Sequence, residues 1–269
     1  MRCFLYLVVL LSLVNYTFSG SVQEYLTLTY DEKMALDKFR NLVRPYLGSA
    51  YMKEDIYLIR WIRVTNFDVQ KAKQRLLENL RWRKANNMDT INTEDWSDMQ
   101  LEYPLYTDTV DKEGRPVGTV NLGTWNFRRA AVTGKMPRMI RYFYKLLEES
   151  TQTVIRNQYK GANVTEFSLI MNLDGFNAIQ HACPACLQAY RAFVTAYQNY
   201  YVGYTHKITL INTPPIFKTV LDVIQPLFTA RTKEILKIFG PNKKEWQEYL
   251  DKEISRDALR PEYGGTRSD

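Results

Sequence analysis

At 269 residues, with 45% hydrophobic and 24% charged side chains, the chain has a globular composition, which excludes a disordered or low-complexity protein. Its length suits one large domain, or a small domain joined to a larger one. The formal charge of +7 favours anionic partners, either lipid headgroups or nucleic acid.

Met1-Arg2 and the apolar run Cys3 to Val14 are too short for a membrane span, which takes ~20 residues. With small residues at Thr17 and Ser19, residues 1–19 read as a secretory signal peptide cut after Ser19. This sets the expectation of a secreted, extracellular protein with no nucleic-acid partner. No later stretch is long and apolar enough to span a bilayer.

Asp31 to Tyr46 carries Met34, Leu36, Phe39, Leu42 and Val43 at helical spacing, ending near Pro45 and Gly48. Tyr57, Leu58, Trp61 and Ile62 form a second helical stripe. Asn66-Phe67-Asp68 then reads as a turn with Asp68 as N-cap of a third helix, whose stripe is Val69, Ala72, Leu76 and Leu80. These helices predict an N-terminal helical subdomain over residues 20–95, followed by a larger domain over 96–269. Asp111 to Val117 is a turn signal before an alternating run, Val120 to Trp125, read as a strand. Arg138 to Gln158 has the spacing of a long amphipathic helix. Phe167 to Leu173 is a buried strand closed by Asp174-Gly175, and Cys186 to Tyr201 supplies another helix.

Ile208 to Ile211 is a β-branched apolar run stopped by Asn212-Thr213-Pro214-Pro215, since proline cannot donate to a ladder and restricts the residue before it. From Phe217, apolar residues recur at Val220, Leu221, Ile224, Leu227 and Phe228, giving one broad apolar face. Pro226 inside that pattern should kink or end the helix. Strands alternating with helices predict an α/β fold with a mostly parallel sheet and right-handed crossovers.

Catalysis finds little support in these residues. The two histidines, His181 and His206, have no nucleophile elbow, phosphate loop or metal-ligand spacing around them, so neither a metal nor a resident cofactor is expected. Cys183 and Cys186, spaced C-P-A-C, lack the strand-to-helix context with an aromatic before the first cysteine that a redox motif has. A local structural disulfide is the preferred reading, and a redox enzyme the alternative. Basic residues gather at Arg128, Arg129, Arg138 and Arg141, a candidate membrane-docking group whose bland alternative is a solvated face. Asn163-Val164-Thr165 is a glycosylation sequon consistent with export. The 19 tyrosines and 12 phenylalanines fit the lining of an apolar cavity, although for any single aromatic ordinary core is the better reading.

The block from Leu210 to Gly240, containing Ile211-Asn212-Thr213-Pro214-Pro215-Ile216-Phe217, resembles the signature of the CRAL-TRIO lipid-binding family. That family includes the tocopherol transfer, retinaldehyde-binding and yeast phosphatidylinositol transfer proteins. Further matches run in order: Leu58 to Arg63, Phe67-Asp68-Val69, Trp82-Arg83, Asp111 to Val117, the Asp174-Gly175 pair, and Arg260 to Gly265. After the last of these only Thr266 to Asp269 remain, and no further domain is expected. The resemblance implies an apolar pocket between sheet and helices, closed by a gate helix, here Phe217 to Phe228. Leu169, Met171, Ile208 and Leu210 would form its floor, and Tyr142, Phe143, Leu146, Phe193 and Tyr197 its walls.

In phosphatidylinositol-binding members two lysines and a glutamate hold the inositol phosphate, and the matching positions here are Asn66, Gly203 and Ile235. Their replacement removes hydrogen bonds of ~1.5–3 kcal/mol each. The sequence therefore predicts a secreted, non-enzymatic carrier of a small hydrophobic ligand: a carotenoid, retinoid, tocopherol, sterol or fatty acid. Its contact with membranes would be transient. The alternative is a phospholipid or phosphoinositide exchange protein docking on anionic membranes.

Overall fold

The computed structural model describes residues 21–268; the signal-peptide reading of residues 1–19 lies outside them. The chain opens with α1 (Val22–Tyr25), α2 (Tyr30–Val43), α3 (Asp55–Arg63) and α4 (Val69–Ala85). Thr29 caps α2 in a reciprocal box with Glu32, and the Asp68 side chain accepts from the Gln70 and Lys71 amides at the start of α4, satisfying amides that no helical carbonyl can reach. Between α3 and α4 the turn residues Asn66 and Phe67 both adopt the left-handed region, with φ of 50° and 62°. Leu36, Phe39, Leu58, Ile62 and Leu76 of these helices are buried together with Val154, Phe167 and Tyr204 from the second half of the chain.

After α5 (Ser97–Glu102) comes a five-stranded sheet, with β1 (Tyr106–Val110) and β2 (Pro116–Asn121) forming an antiparallel hairpin. Pro116 is tolerated because it is the first residue of its strand. The chain then runs through α6 (Phe127–Val132) and α7 (Met136–Tyr159) to β3 (Phe167–Asn172), and through α8 (Ala178–His181) and α9 (Pro184–Tyr200) to β4 (Thr205–Ile211). Helices α10 (Lys218–Ile224) and α11 (Ala230–Ile235) lead to β5 (Leu236–Ile238), and α12 (Lys243–Glu253) follows. Strand order is β1-β2-β3-β4-β5, with every pair after the first parallel. The mixed α/β architecture, with helices flanking a mostly parallel sheet after a helical N-terminal part, is the one expected.

Register assigns the two faces of the sheet, because side chains alternate along each strand. Gly118 and Val120 pair with Leu169 and Met171, which pair in turn with Ile208 and Leu210. These residues share one face, as expected for a pocket floor. Val117, Ile170 and Ile211 lie on the other, buried with Trp246 and Leu250 of α12 and with Tyr263. The C-terminal segment is clasped to β1 by Asp108, which accepts from Arg260 at 2.6 Å and Arg267 at 2.5 Å. Burial pushes the Asp108 carboxyl up, but the two guanidiniums outweigh it and hold the group at about 2.

Two local expectations change. The strand expected over Val120 to Trp125 instead spans Pro116–Asn121, and Leu122–Thr124 forms a 3-10 turn. Parallel pairing with β3 stops at Asn121 opposite Asn172, beyond which Gly123 lies directly on the turn after β3. A Cβ there would meet the Asp174 carbonyl oxygen at 1.9 Å, far inside contact distance. The gate segment is likewise not one helix. A 3-10 turn over Pro215–Phe217 precedes α10, and Pro226 sits in a second 3-10 turn, Gln225–Leu227, where the α-helix has ended.

Candidate functional site

Between the sheet and helices α7 and α9 lies a cavity of about 80 Å³. Its floor is Val120 of β2 with Leu169 and Met171 of β3. Helix α7 supplies Phe143, Leu146, Leu147 and Ser150, and α9 supplies Tyr190 and Phe193. Leu105, Leu122, Trp125 and Phe127 complete the wall. The α7 residues recur at spacings of three and four because only those positions share a helix face. Rings lock the wall together: Phe127 stacks on Tyr190 with centroids 4.8 Å apart, and Phe143 meets Phe193 edge-on at 5.8 Å.

None of these side chains carries a formal charge at neutral pH, so the cavity offers an ion no compensation. Ser150 donates to the Leu146 carbonyl at 2.9 Å, leaving its hydrogen unavailable to a ligand. The cavity surface itself is entirely apolar, but two of the lining residues carry a buried polar hydrogen behind that surface. The Tyr190 hydroxyl and the Trp125 indole N–H are buried with no hydrogen-bond partner among the described residues. Burial pushes the Tyr190 phenol far above its ordinary range, so it stays a neutral donor.

Of the pocket residues expected from sequence, Phe143, Leu146, Leu169, Met171 and Phe193 border the cavity. Tyr142 points elsewhere, donating to the Tyr103 carbonyl at 3.0 Å and packing on Trp96. Ile208 and Leu210 face the same side of the sheet but lie in the surrounding core. Phe217, Val220 and Ile224 are buried in that core, and Leu221, Leu227 and Phe228 pack partly exposed against it. Helix α10 rests on α9, so the gate segment closes the core without touching the cavity itself. Leu105, Val120, Leu122, Trp125, Phe127, Leu147, Ser150 and Tyr190 were not anticipated as lining. For Leu147 and Ser150 the signal was present, four residues beyond Phe143 and Leu146.

A second, polar cleft of about 370 Å³ brings Asn66 and Gly203 together, with Tyr197 in its wall. Ile235 is buried in the core instead. Arg63, Arg75 and Arg231 border this cleft, but all three are engaged: Arg63 donates to the Tyr25 carbonyl at 2.7 Å and Arg75 to the Gln198 carbonyl at 3.3 Å, while Arg231 lies 3.2 Å from Glu234 and 3.5 Å from the buried Glu166.

The proposed docking cations separate into two pairs. Arg128 and Arg129 are exposed on α6. Arg138 and Arg141 are consumed internally: both pair with Glu94, Arg138 also pairs with Asp98 at 3.1 Å, and its guanidinium lies 3.9 Å from the Trp96 ring centroid. They bind α7 to the segment before α5 and are not docking groups in this arrangement. Cys183 and Cys186 are joined in a disulfide that closes the first turn of α9, where the Cys183 sulfur also accepts from the Cys186 amide. His181 is buried against Phe176 and Phe127, and burial lowers its pKa. Asn163 is exposed, its side-chain oxygen accepting from the Val22 amide at 2.6 Å. Among the described residues, no cluster of three or more His, Cys, Asp or Glu is placed to hold a metal, and no helix is long and apolar enough to cross a membrane.

The profile of the CRAL/TRIO domain matches residues 101–265. The chain belongs to the CRAL/TRIO family. It is 27% identical over 248 residues to the SEC14 cytosolic factor of Eremothecium gossypii, covering 88% of this chain and 77% of that protein. A CRAL-TRIO domain-containing protein of Caenorhabditis elegans is 22% identical over 251 residues; the match takes in 90% of this chain but 35% of the longer worm protein. The crystal structure of Sfh5 superposes with a TM-score of 0.70 at 14% identity, covering 88% of each chain, a likeness of fold. CRAL/TRIO proteins bind and transfer lipids.

Proposed function

We propose that this CRAL/TRIO protein is a secreted carrier of a small, neutral, oxygen-bearing lipophile. The observation that carries the reading is the cavity wall: apolar side chains from the sheet, α7 and α9, with no charged group among them. Each ligand methylene buried there contributes ~0.8 kcal/mol, so affinity comes from the tail. The closed cavity is smaller than the ~300–1,000 Å³ of a typical ligand site. Loading therefore requires the surrounding core, α10 included, to part, and its return to the closed packing expels water. Secretion is supported by the apolar N-terminal run, the disulfide and the exposed sequon at Asn163.

The polar hydrogens of Tyr190 and Trp125 refine the ligand class. They lie behind the apolar lining, and once the core parts for loading a hydroxyl or carbonyl oxygen can pair with them, whereas a pure hydrocarbon leaves them unpaired. A fatty-acid carboxylate is disfavoured because the wall offers no cation. Retinoids, tocopherols and sterols fit better than hydrocarbon carotenoids. Tyr190→Phe tests this with two readouts of opposite sign. Removing an unpaired buried hydroxyl should raise the melting temperature of the unloaded protein by about 2–4 °C. It should also weaken binding of a long-chain alcohol about ten-fold while leaving the matched alkane unchanged. Equal effects on alcohol and alkane would remove the oxygen requirement.

The phosphoinositide alternative places its headgroup in the second cleft. With Asn66 and Gly203 there, and Arg63, Arg75 and Arg231 each already engaged, the cleft supports a phosphate less well than the cavity supports an apolar tail.

A further inference from the structure

We propose that the protein docks on anionic bilayers through the joined outer faces of α5, α6 and α8, an inference that names the membrane partner within the carrier reading and rests on it. Helix α6 divides cleanly. Phe127 and Ala130 are buried, and Phe127 walls the cavity, while Arg128, Arg129 and Val132 face outward. Arg128 and Val132 stand one turn apart on the same side. Helix α8 packs on α6, with His181 turned inward against Phe127 and Ile179 outward. At the end of α5, Glu102 lies 3.6 Å from Arg129 and 3.9 Å from Lys135, which brings the end of α5, with the exposed Leu101, to the edge of this surface.

The apolar members are unusually open: Leu101 is 86% exposed, and Val132 and Ile179 are each 71% exposed. A single exposed aliphatic residue means little. Three on neighbouring short helices, accompanied by Arg128 and by Arg129 and Lys135, which share Glu102, form an amphipathic patch. Its charge complements an anionic leaflet, where cations meet headgroups while aliphatic side chains enter the acyl boundary. Because Phe127 lies on the inner side of the same helix, bilayer contact with α6 acts on the cavity wall directly.

Vesicle flotation of the full chain, on phosphatidylcholine vesicles with and without phosphatidylserine, tests the proposal. Arg128→Gln/Arg129→Gln should lower partitioning onto the phosphatidylserine vesicles about thirty-fold at low salt, each surface cation being worth roughly five-fold. Added salt should shrink that difference. Leu101→Ser/Val132→Ser/Ile179→Ser should lose binding to both vesicle types. Both variants should bind a long-chain alcohol in detergent-free solution as the parent does, showing that the fold and cavity are intact. Undiminished flotation of either variant would overturn the docking face while leaving the carrier reading in place. Loss of flotation in a protein that binds no lipophile would support the face and refute the carrier.

Discussion

Arg83→Ala is expected to destabilise the protein by about 3–5 kcal/mol, because it strands a carboxylate in the interior. Arg83 of α4 donates to both oxygens of Glu148 on α7, at 2.8 and 3.1 Å, and both side chains are buried. Burial alone disfavours the guanidinium charge, but Glu148 more than compensates and raises its pKa. The same carboxylate accepts from the Tyr201 hydroxyl at 3.1 Å and from Gln152 at 3.0 Å, while Arg83 reaches Asp89 at 2.9 Å. This network ties the N-terminal helices to α7 and to the end of α9, the two helices that wall the cavity. Urea unfolding should show a large drop in midpoint with little change in slope. Replacing both partners, as Arg83→Met/Glu148→Leu, should recover much of the loss, since two desolvated charges are removed together. A single-variant loss below about 1 kcal/mol would mean that water reaches the pair.

Leu146→Trp is expected to weaken ligand binding about hundred-fold while the protein remains folded. Leu146 projects from α7 into the cavity, and an indole there occupies space that a ligand tail would take. Excluding three or four methylenes at ~0.8 kcal/mol each lowers affinity about hundred-fold. The overpacked core should be destabilised by only ~1–3 kcal/mol. Titration with a long-chain alcohol, alongside thermal unfolding, separates the two effects. Retained affinity in a folded variant would place the ligand elsewhere, with the polar cleft at Asn66 and Gly203 the next site to test.

The fold was legible where residue pattern is set by burial. Phe167 to Leu173 and Ile208 to Ile211 announced the parallel strands through continuous apolar runs, as strands covered on both faces do. The long spacing of Arg138 to Gln158 announced α7. The family resemblance supplied what periodicity does not, namely that the apolar space lies between sheet and helices. The site was legible only in part, and the reason is local. Leu122 and Trp125 reach the cavity from a non-repeating turn, and Phe127 from the start of the short helix α6 that follows it, on a path that depends on the close approach of Gly123 to Asp174. No spacing rule predicts such a contact.

Charge was harder still to read. Arg128, Arg129, Arg138 and Arg141 look alike in sequence, yet the last two find Glu94, more than forty residues upstream. The gate residues from Phe217 to Phe228 have the expected apolar face, which is spent on the closed core.

Mass spectrometry of the organic extract from the purified full-length protein tests the central claim most directly. The account predicts one dominant neutral lipophile bearing a hydroxyl or carbonyl group, near one per chain, and strongly reduced in extracts of the Leu146→Trp variant. Phosphatidylinositol as the dominant species, or a chain that extracts empty and binds no lipophile on titration, would contradict it.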